Sequence, residues 1–502
     1  MCGLVEYKAG LGWGWLIMKQ SKLWVVGFIF PNELCERFSF FGTRALLNQY
    51  LKAGFGMSEA QAKAYVHLFN ALVCLFPILG GAISDSYLGK FQTVILFSSL
   101  HTLGNVLMTL FSVDGLVGDF GTYPLWSFLL PTVLVALGSG CAKPCVTSHA
   151  GDQFRGAKGL DKFYAAYILA MNIGILLAVT SIPMLKDGVE CFGGACYPLA
   201  YAVPALAVLL SLVIFACGRC YYRVIPPQGE FLPWKLCRLV GHALSRKMQG
   251  DIADDWLELA GDAYSVDLIQ EARQFLHVVG MFVPLVFAWG LHEQNATEWQ
   301  NQYEMMEKRV FGFKVPTEAC SMYGAFLVIG FIPLVSFGVF PWLDSVGVKL
   351  TAGMRVAIGY CFVLSSFFIS TILKYWVTEN ATNQVLKNNV TVSCEGCLNG
   401  AWQIPQWVLF SLGDAILIPA CNLFAYSHVG DKMKAIAVSI IFLSVAMGNF
   451  VVIGLEPILS HLHERIHRQW SYVILSSIFF LGYVLLLKLW FNPHNSPSFS
   501  LY

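Results

Sequence analysis

Runs of about twenty apolar residues recur along the whole chain, and this recurrence constrains the fold more than any single motif. One such run, wound as a helix, crosses the hydrocarbon core of a bilayer. Twelve can be drawn, at 23–51, 60–84, 90–112, 124–149, 160–184, 198–221, 272–298, 318–342, 351–376, 401–427, 433–459 and 468–490. Composition agrees: 56% of the 502 residues are hydrophobic and 13% are charged, against about 25% charged in a soluble domain. So little charge excludes a soluble enzyme and a disordered chain. A formal net charge of +1 offers no basic surface to a nucleic-acid backbone, so no nucleic-acid partner is expected. The expected fold class is an all-α polytopic membrane protein with twelve transmembrane helices, its partner the lipid bilayer. Pro77, Pro144, Pro284, Pro333 and Pro405 fall inside the runs, where neighbouring helices can satisfy the backbone groups that proline frees.

An even number of spans places both termini on one side, and the excess of Lys and Arg in alternate loops makes that side cytoplasmic. The 4–5 loop holds Arg155, Lys158 and Lys162, whereas the 3–4 loop has Asp114 and Asp119 with no Lys or Arg. Two expected outer loops carry close cysteine pairs, Cys191 with Cys196 and Cys394 with Cys397. These are disulfide candidates for an oxidising compartment. The second loop also has sequons at Asn380 and Asn389, candidate glycosylation sites. No metal-ligand framework is evident. The first 22 residues lack the pattern of a cleavable signal peptide, and Cys2 stands where myristoylation needs glycine.

The longest polar stretch, 223–271, divides the runs six and six. Its part 233–248 sets Trp234, Leu236, Leu239, Val240 and Leu244 beside Lys235, Arg238, Arg246 and Lys247. That pattern predicts a basic amphipathic helix, either on the inner membrane surface or as a plain linker. The acidic part, 251–271, is expected to be a solvated helix.

A charged residue at a helix centre costs about 2.5–3.5 kcal/mol on insertion scales, so each one inside a run is a functional candidate. The first run has four: Glu33, Glu36, Arg37 and Arg44. Offsets of three, four and eleven from Glu33 put them on one helix face, and Glu33 four residues before Arg37 is the favourable ion-pair order. Lys143, Glu293 and Asp414 lie in later runs. His67, in the second, could be a protonation site or a neutral hydrogen-bonding residue. No nucleophile–base pair is in place, so no catalytic residue is expected and the chain is not read as an enzyme.

Gly81-Ala-Ile-Ser-Asp85-Ser-Tyr-Leu-Gly89-Lys90 resembles the inner-loop signature of the major facilitator superfamily, which implies a charged conformational latch. Glu33-Leu-Cys-Glu36-Arg37-Phe38-Ser-Phe40-Phe41 resembles the first-helix motif of the proton-coupled oligopeptide transporter (POT) family, Glu-x-x-Glu-Arg-Phe-x-Tyr-Tyr. Lys143-Pro-Cys, Gly151-Asp-Gln-Phe, Asn172-x-Gly174, Trp289 with Glu293, Trp402-Gln-Ile-Pro-Gln406, Met433-Lys and Gly448-Asn449 are similar to further motifs of that family.

The resemblance implies two six-helix bundles, 23–222 and 272–491. A cytoplasmic N-terminus (1–22), the linker (223–271) and a cytoplasmic C-terminus (492–502) complete the chain. It implies a proton-driven symporter of di- and tripeptides working by alternating access, without cofactor and functional as a monomer. Glu33, Glu36, Arg37 and His67 would couple protons. Arg37, Arg44 and Lys143 would bind the cargo carboxylate and Asn172 would hydrogen-bond the peptide. Trp289, Glu293 and Asp414 would complete the site, with Asp414 facing the amine. Asp85, Gly89 and Lys90 would form the latch. Departures are Phe40 and Phe41 for a Tyr pair, Ile168 for Tyr, Gly324 for Asn, Ile441 for Trp, Asp414 for Glu, and His277 with Ser336 for a basic–acidic pair. They alter the amine end, so a histidine, another amino acid or a nitrate-like anion is an alternative cargo. A non-transporting sensor or scaffold is the other alternative. The membrane could be the plasma membrane or that of an endolysosomal-type organelle.

Overall fold

The computed structural model describes residues 13–119, 121–153, 160–191, 194–227, 231–253, 255–296, 298–310, 312–314, 320–388 and 397–460, with 477, 480, 481 and 484. The chain forms two compact units, 1–277 with 425–443 and 278–424 with 444–502.

In the first unit, α1 (Trp13–Phe55) is followed by α2 (Glu59–Ile83). Ser58 opens α2 with a capping box: its hydroxyl accepts from the Gln61 N–H at 3.3 Å and Gln61 Oε1 accepts from the Ser58 N–H at 3.1 Å. A π-helical turn, Ser84–Leu88, extends α2 and stops at Gly89, whose φ of +75° glycine adopts without steric cost. Then come α3 (Lys90–Phe111), α4 (Trp126–Asp152), α5 (Leu160–Gly188) and α6 (Tyr197–Cys217). A two-residue-per-strand hairpin, β1 (Glu190–Cys191) with β2 (Gly194–Ala195), joins α5 to α6. It carries the expected Cys191–Cys196 disulfide. Glycines set the helix spacing. A Cβ on Gly80 would strike the backbone of Cys141, and one on Gly174 would meet the Leu34 carbonyl at 2.5 Å. Close α2–α4 and α5–α1 contacts therefore require residues without side chains.

The amphipathic helix is present as α7 (Leu232–Met248). It packs on a 3-10 turn, Trp256–Ala260. Leu236, Leu239 and Ala243 are buried, as are Leu257 and Ala260 of the turn, while Trp234 and Leu244 stay exposed. Of the solvated helix expected over 251–271, only 266–271 is α-helical. Asp255 caps the short 3-10 turn by accepting from the Leu257 N–H at 3.0 Å, and Arg273 pairs with Asp255 at 2.6 Å. Acidic side chains here serve as caps and counter-ions, and Gly261 ends the turn. The His242 imidazole, hydrogen-bonded to Asp262 at 2.9 Å, holds that carboxyl below the usual carboxylate range.

The expected seventh span is two helices, α8 (Val266–Phe282) and α9 (Leu285–Glu293), bent by 43°. The break falls at Pro284, which lacks the N–H a continuous helix needs. Pro77 and Pro144, by contrast, lie inside unbroken helices. In the second unit α10 (Glu298–Glu304) and the hairpin of β3 (Arg309–Val310) with β4 (Phe313–Lys314) precede α11 (Ser321–Pro333). A π-helical stretch, Leu334–Val339, links α11 to α12 (Phe340–Ser345). Then follow α13 (Ala352–Asn388), α14 (Ile404–Ser427) and α15 (Lys434–Ser460), the last two shared between the units. Helix α13 continues past the expected end at 376, so Asn380 lies on a helix and not in a loop. Asn389 and Cys394 lie outside the described residues. Cys397 is disulfide-bonded.

Among the described residues nine helical segments are long and apolar enough to cross a membrane, or ten with the bent pair counted as one span. Helix α1 has the length as well, with 43 residues. The twelfth expected run, 468–490, lies almost wholly outside the described residues.

Candidate functional site

The charges of α1 meet in the first unit. Arg37 Nε lies 2.6 Å from Glu33 Oε1 and 3.2 Å from Glu36 Oε2. All three side chains are buried. Two groups that the sequence did not single out complete the cage. The Tyr167 hydroxyl of α5 donates to Glu33 Oε2 at 2.6 Å, and Ser139 Oγ of α4 donates to Glu36 Oε1 at 2.8 Å. A third, His101 of α3, places Nδ1 3.8 Å from Glu36 Oε1. Its Nε2 is buried with no hydrogen-bond partner among the described residues. Ile168 is buried, and the hydroxyl comes from the residue before it.

Phe40 and Phe41 lack hydroxyls but still serve cations. Lys143 Nζ stands 4.1 Å from the centre of the Phe40 ring, and that ring stacks on Phe69. The Lys143 ammonium is buried. Arg44 is half-buried, 5.8 Å from the centre of the Phe41 ring. Asn172 donates to the Ile168 carbonyl of its own helix at 2.9 Å. Gly174, two residues further on, lets α1 approach closely enough for Arg37 to sit among these groups. His67 lies in α2, and its side chain is outside the described residues.

The latch residues form a second buried cluster in the same unit. Asp85 Oδ2 accepts from the Ile436 N–H in the first turn of α15 at 2.9 Å, a carboxylate at the positive end of a helix dipole. Lys90 Nζ pairs not with Asp85 but with Asp152 Oδ2, at 2.6 Å. Asp152 Oδ1 accepts from the Tyr426 hydroxyl at 2.8 Å and lies 3.9 Å from Lys434 Nζ. Gly81 rests against the Ala435 carbonyl.

In the second unit, Trp289 is buried and Glu293 is partly exposed on α9, while Asp414 is buried on α14. Between the two acids stands His292, which the sequence did not single out. Its Nε2 is 3.1 Å from Asp414 Oδ1 and its Nδ1 is 3.8 Å from Glu293 Oε1. The glycine at 324 has a steric cause: a Cβ there would lie 2.7 Å from the Trp407 ring. Trp407 packs edge-to-face on Trp299 at 4.6 Å. The Trp402–Gln406 motif holds a buried amide network. Gln403 and Gln406 donate to Gln302 Oε1 at 2.9 and 3.1 Å, and Gln302 donates to the Ser370 carbonyl at 3.0 Å. Of the remaining departures, Ser336 is buried in this unit, while in the first unit Ile441 is buried and His277 stacks on His428 at 5.9 Å.

Charges inside a membrane-spanning helix are tolerated only beside each other or facing water, so the buried ion cluster of α1 marks a functional site. The comparisons name the family. The family model described as "PTR2: POT family" matches residues 91–472. Solute carrier family 15 member 2 of Danio rerio is 33% identical over 70% of this chain and 50% of its own length. The Homo sapiens protein of that name is 32% identical over 72% and 50%, and peptide transporter 3 of Caenorhabditis elegans is 33% identical over 70% and 51%. The chain thus spans about half the length of the curated relatives it matches. Among solved structures, the POT family transporter PepTSo aligns with a TM-score of 0.66 at 24% identity, covering 92% of this chain and 97% of that one. An auto-inhibited POT family peptide transporter aligns at 0.65 and 22%, covering 94% and 99%. The chain belongs to the POT family, and its fold is the major facilitator fold of those transporters.

Proposed function

We propose that the protein is a proton-coupled symporter of di- and tripeptides that works by alternating access. The observation that carries this reading is the α1 cluster, in which two buried carboxylates share one guanidinium at 2.6 and 3.2 Å. Protonation of one carboxylate would free part of Arg37 for a cargo carboxylate, which a guanidinium can hold bidentately. Glu33, Glu36 and Arg37 are the coupling groups, with His67 assigned to the same step. Arg37, Arg44 and Lys143 bind the cargo carboxylate, and the buried Lys143 ammonium over the Phe40 ring suits that role. Asn172 hydrogen-bonds the peptide. Trp289, Glu293 and Asp414 complete the site, with Asp414 facing the amine. Asp85, Gly89 and Lys90 act as the latch. The coupling ion is the proton and no cofactor is invoked. The termini are cytoplasmic, the protein works as a monomer in the plasma membrane or an endolysosomal-type membrane, and Asn380 and Asn389 are glycosylated.

In proteoliposomes, an inward proton gradient should drive uptake of a labelled dipeptide. Glu36→Gln should abolish that uptake while dipeptide exchange at equal pH survives. Absence of any peptide uptake by the wild type would refute the function, and equal gradient-driven uptake by the variant would refute the coupling role. A competition panel of peptides, free amino acids and nitrate separates this cargo from the alternatives that the altered amine end suggests.

A further inference from the structure

The proposed function sets Asp414 against a cargo amine, yet both its oxygens already face an imidazole of the same unit. His292 Nε2 lies 3.1 Å from Oδ1 and 3.2 Å from Oδ2. The imidazole is held in place by aromatic packing: its ring is 4.7 Å from Phe410, at 36°, and 5.4 Å from Trp289, at 69°. Its Nδ1 is buried without a hydrogen-bond partner among the described residues, at the 3.8 Å already noted from Glu293. One ring is thus wedged between two carboxylates. With Nε2 within 3.2 Å of both oxygens, an ammonium group that pairs with both would have to displace the imidazole.

We propose that His292 is a specificity-determining residue that occupies the amine position at Asp414. The chain therefore prefers cargo with a free carboxylate and an uncharged amino end, such as N-acylated peptides, over zwitterionic peptides. A cationic amine has to break a hydrogen bond to a charged group before it can pair with Asp414. An acyl cap leaves that bond intact. The loss of one such bond corresponds to about tenfold or more in affinity. This inference rests on the peptide-transport reading.

The test is gradient-driven uptake by the full chain in proteoliposomes, with labelled alanyl-alanine and N-acetyl-alanyl-alanine, for the wild type and His292→Phe. Phenylalanine keeps a ring against Phe410 and Trp289 and removes the donor. The wild type should favour the capped compound by about tenfold, and the variant should reverse that order. His292→Ala, read by thermal shift with the same two compounds, serves if the Phe variant does not fold. A wild type that favours the free dipeptide, or a ratio unchanged in both variants, overturns the inference and leaves peptide transport standing. A wild type that takes up neither compound removes the transport reading, and the inference with it.

Discussion

A carboxylate inside a membrane span stays charged only where donors and cations replace its water. Glu33 has Arg37 on one oxygen and the Tyr167 hydroxyl on the other; Glu36 has Ser139 on one and Arg37 near the other. Tyr167→Phe removes one hydrogen bond to a charged group and leaves the ring packing. It should lower unfolding stability by about 1.5–3 kcal/mol, read as a lower Tm of the purified protein. An unchanged Tm would show that water replaces the hydroxyl at Glu33. The acids and Arg37 were legible in the sequence because a charge in an apolar run is conspicuous. Tyr167, Ser139 and His101 were not, because a hydroxyl or imidazole in such a run carries little penalty. Their partners are also remote: Tyr167 is 134 residues from Glu33. His292 escaped notice for the same reason, although it stands next to Glu293 in the chain.

At the scale of helices, the sequence placed most spans to within a few residues, since apolar length alone defines a crossing. It did not locate where those helices bend. Pro284 breaks a span and Pro144 does not, a difference set by tertiary contacts that a linear pattern does not contain. Glycine crossings are also invisible in one dimension, because a glycine in a helix looks like a local weakness until a neighbour is placed against it. Two substitutions separate the cases. Gly80→Ala puts a methyl group into the Cys141 backbone, so α2 and α4 must separate and the yield of folded protein should fall. Gly241→Ala in α7 meets nothing within 4 Å and should stabilise that helix by up to about 1 kcal/mol, through helix propensity. Thermal unfolding of the two variants should move in opposite directions; a parallel loss would mean that the Gly241 face of α7 is not open to solvent.

For the molecule as a whole, the latch cluster ties distant parts of the chain together. The 85–90 segment, the end of α4 and the start of α15 are joined through Asp85, Lys90, Asp152, Tyr426 and Lys434. The signature residues were legible, but their partners were not: a pairing of Lys90 with Asp152 needs the α3–α4 packing, which no local spacing encodes. Asp152 is the hub, with contacts to Lys90, Tyr426 and Lys434, while Lys90 has Asp152 as its partner at 2.6 Å. Removing one member of a buried ion pair costs about 3–5 kcal/mol when the other is stranded. Lys90→Met does not strand Asp152, which retains Tyr426 and Lys434. Asp152→Asn strands Lys90 and weakens both other contacts. The aspartate variant should therefore be the less stable of the two, and the double variant should lose less than the sum of the singles by at least about 0.5 kcal/mol. Thermal unfolding of the three variants beside the wild type measures this directly. Strict additivity would mean that Lys90 and Asp152 are not coupled, and the latch would then rest on Asp85 and the first turn of α15 alone.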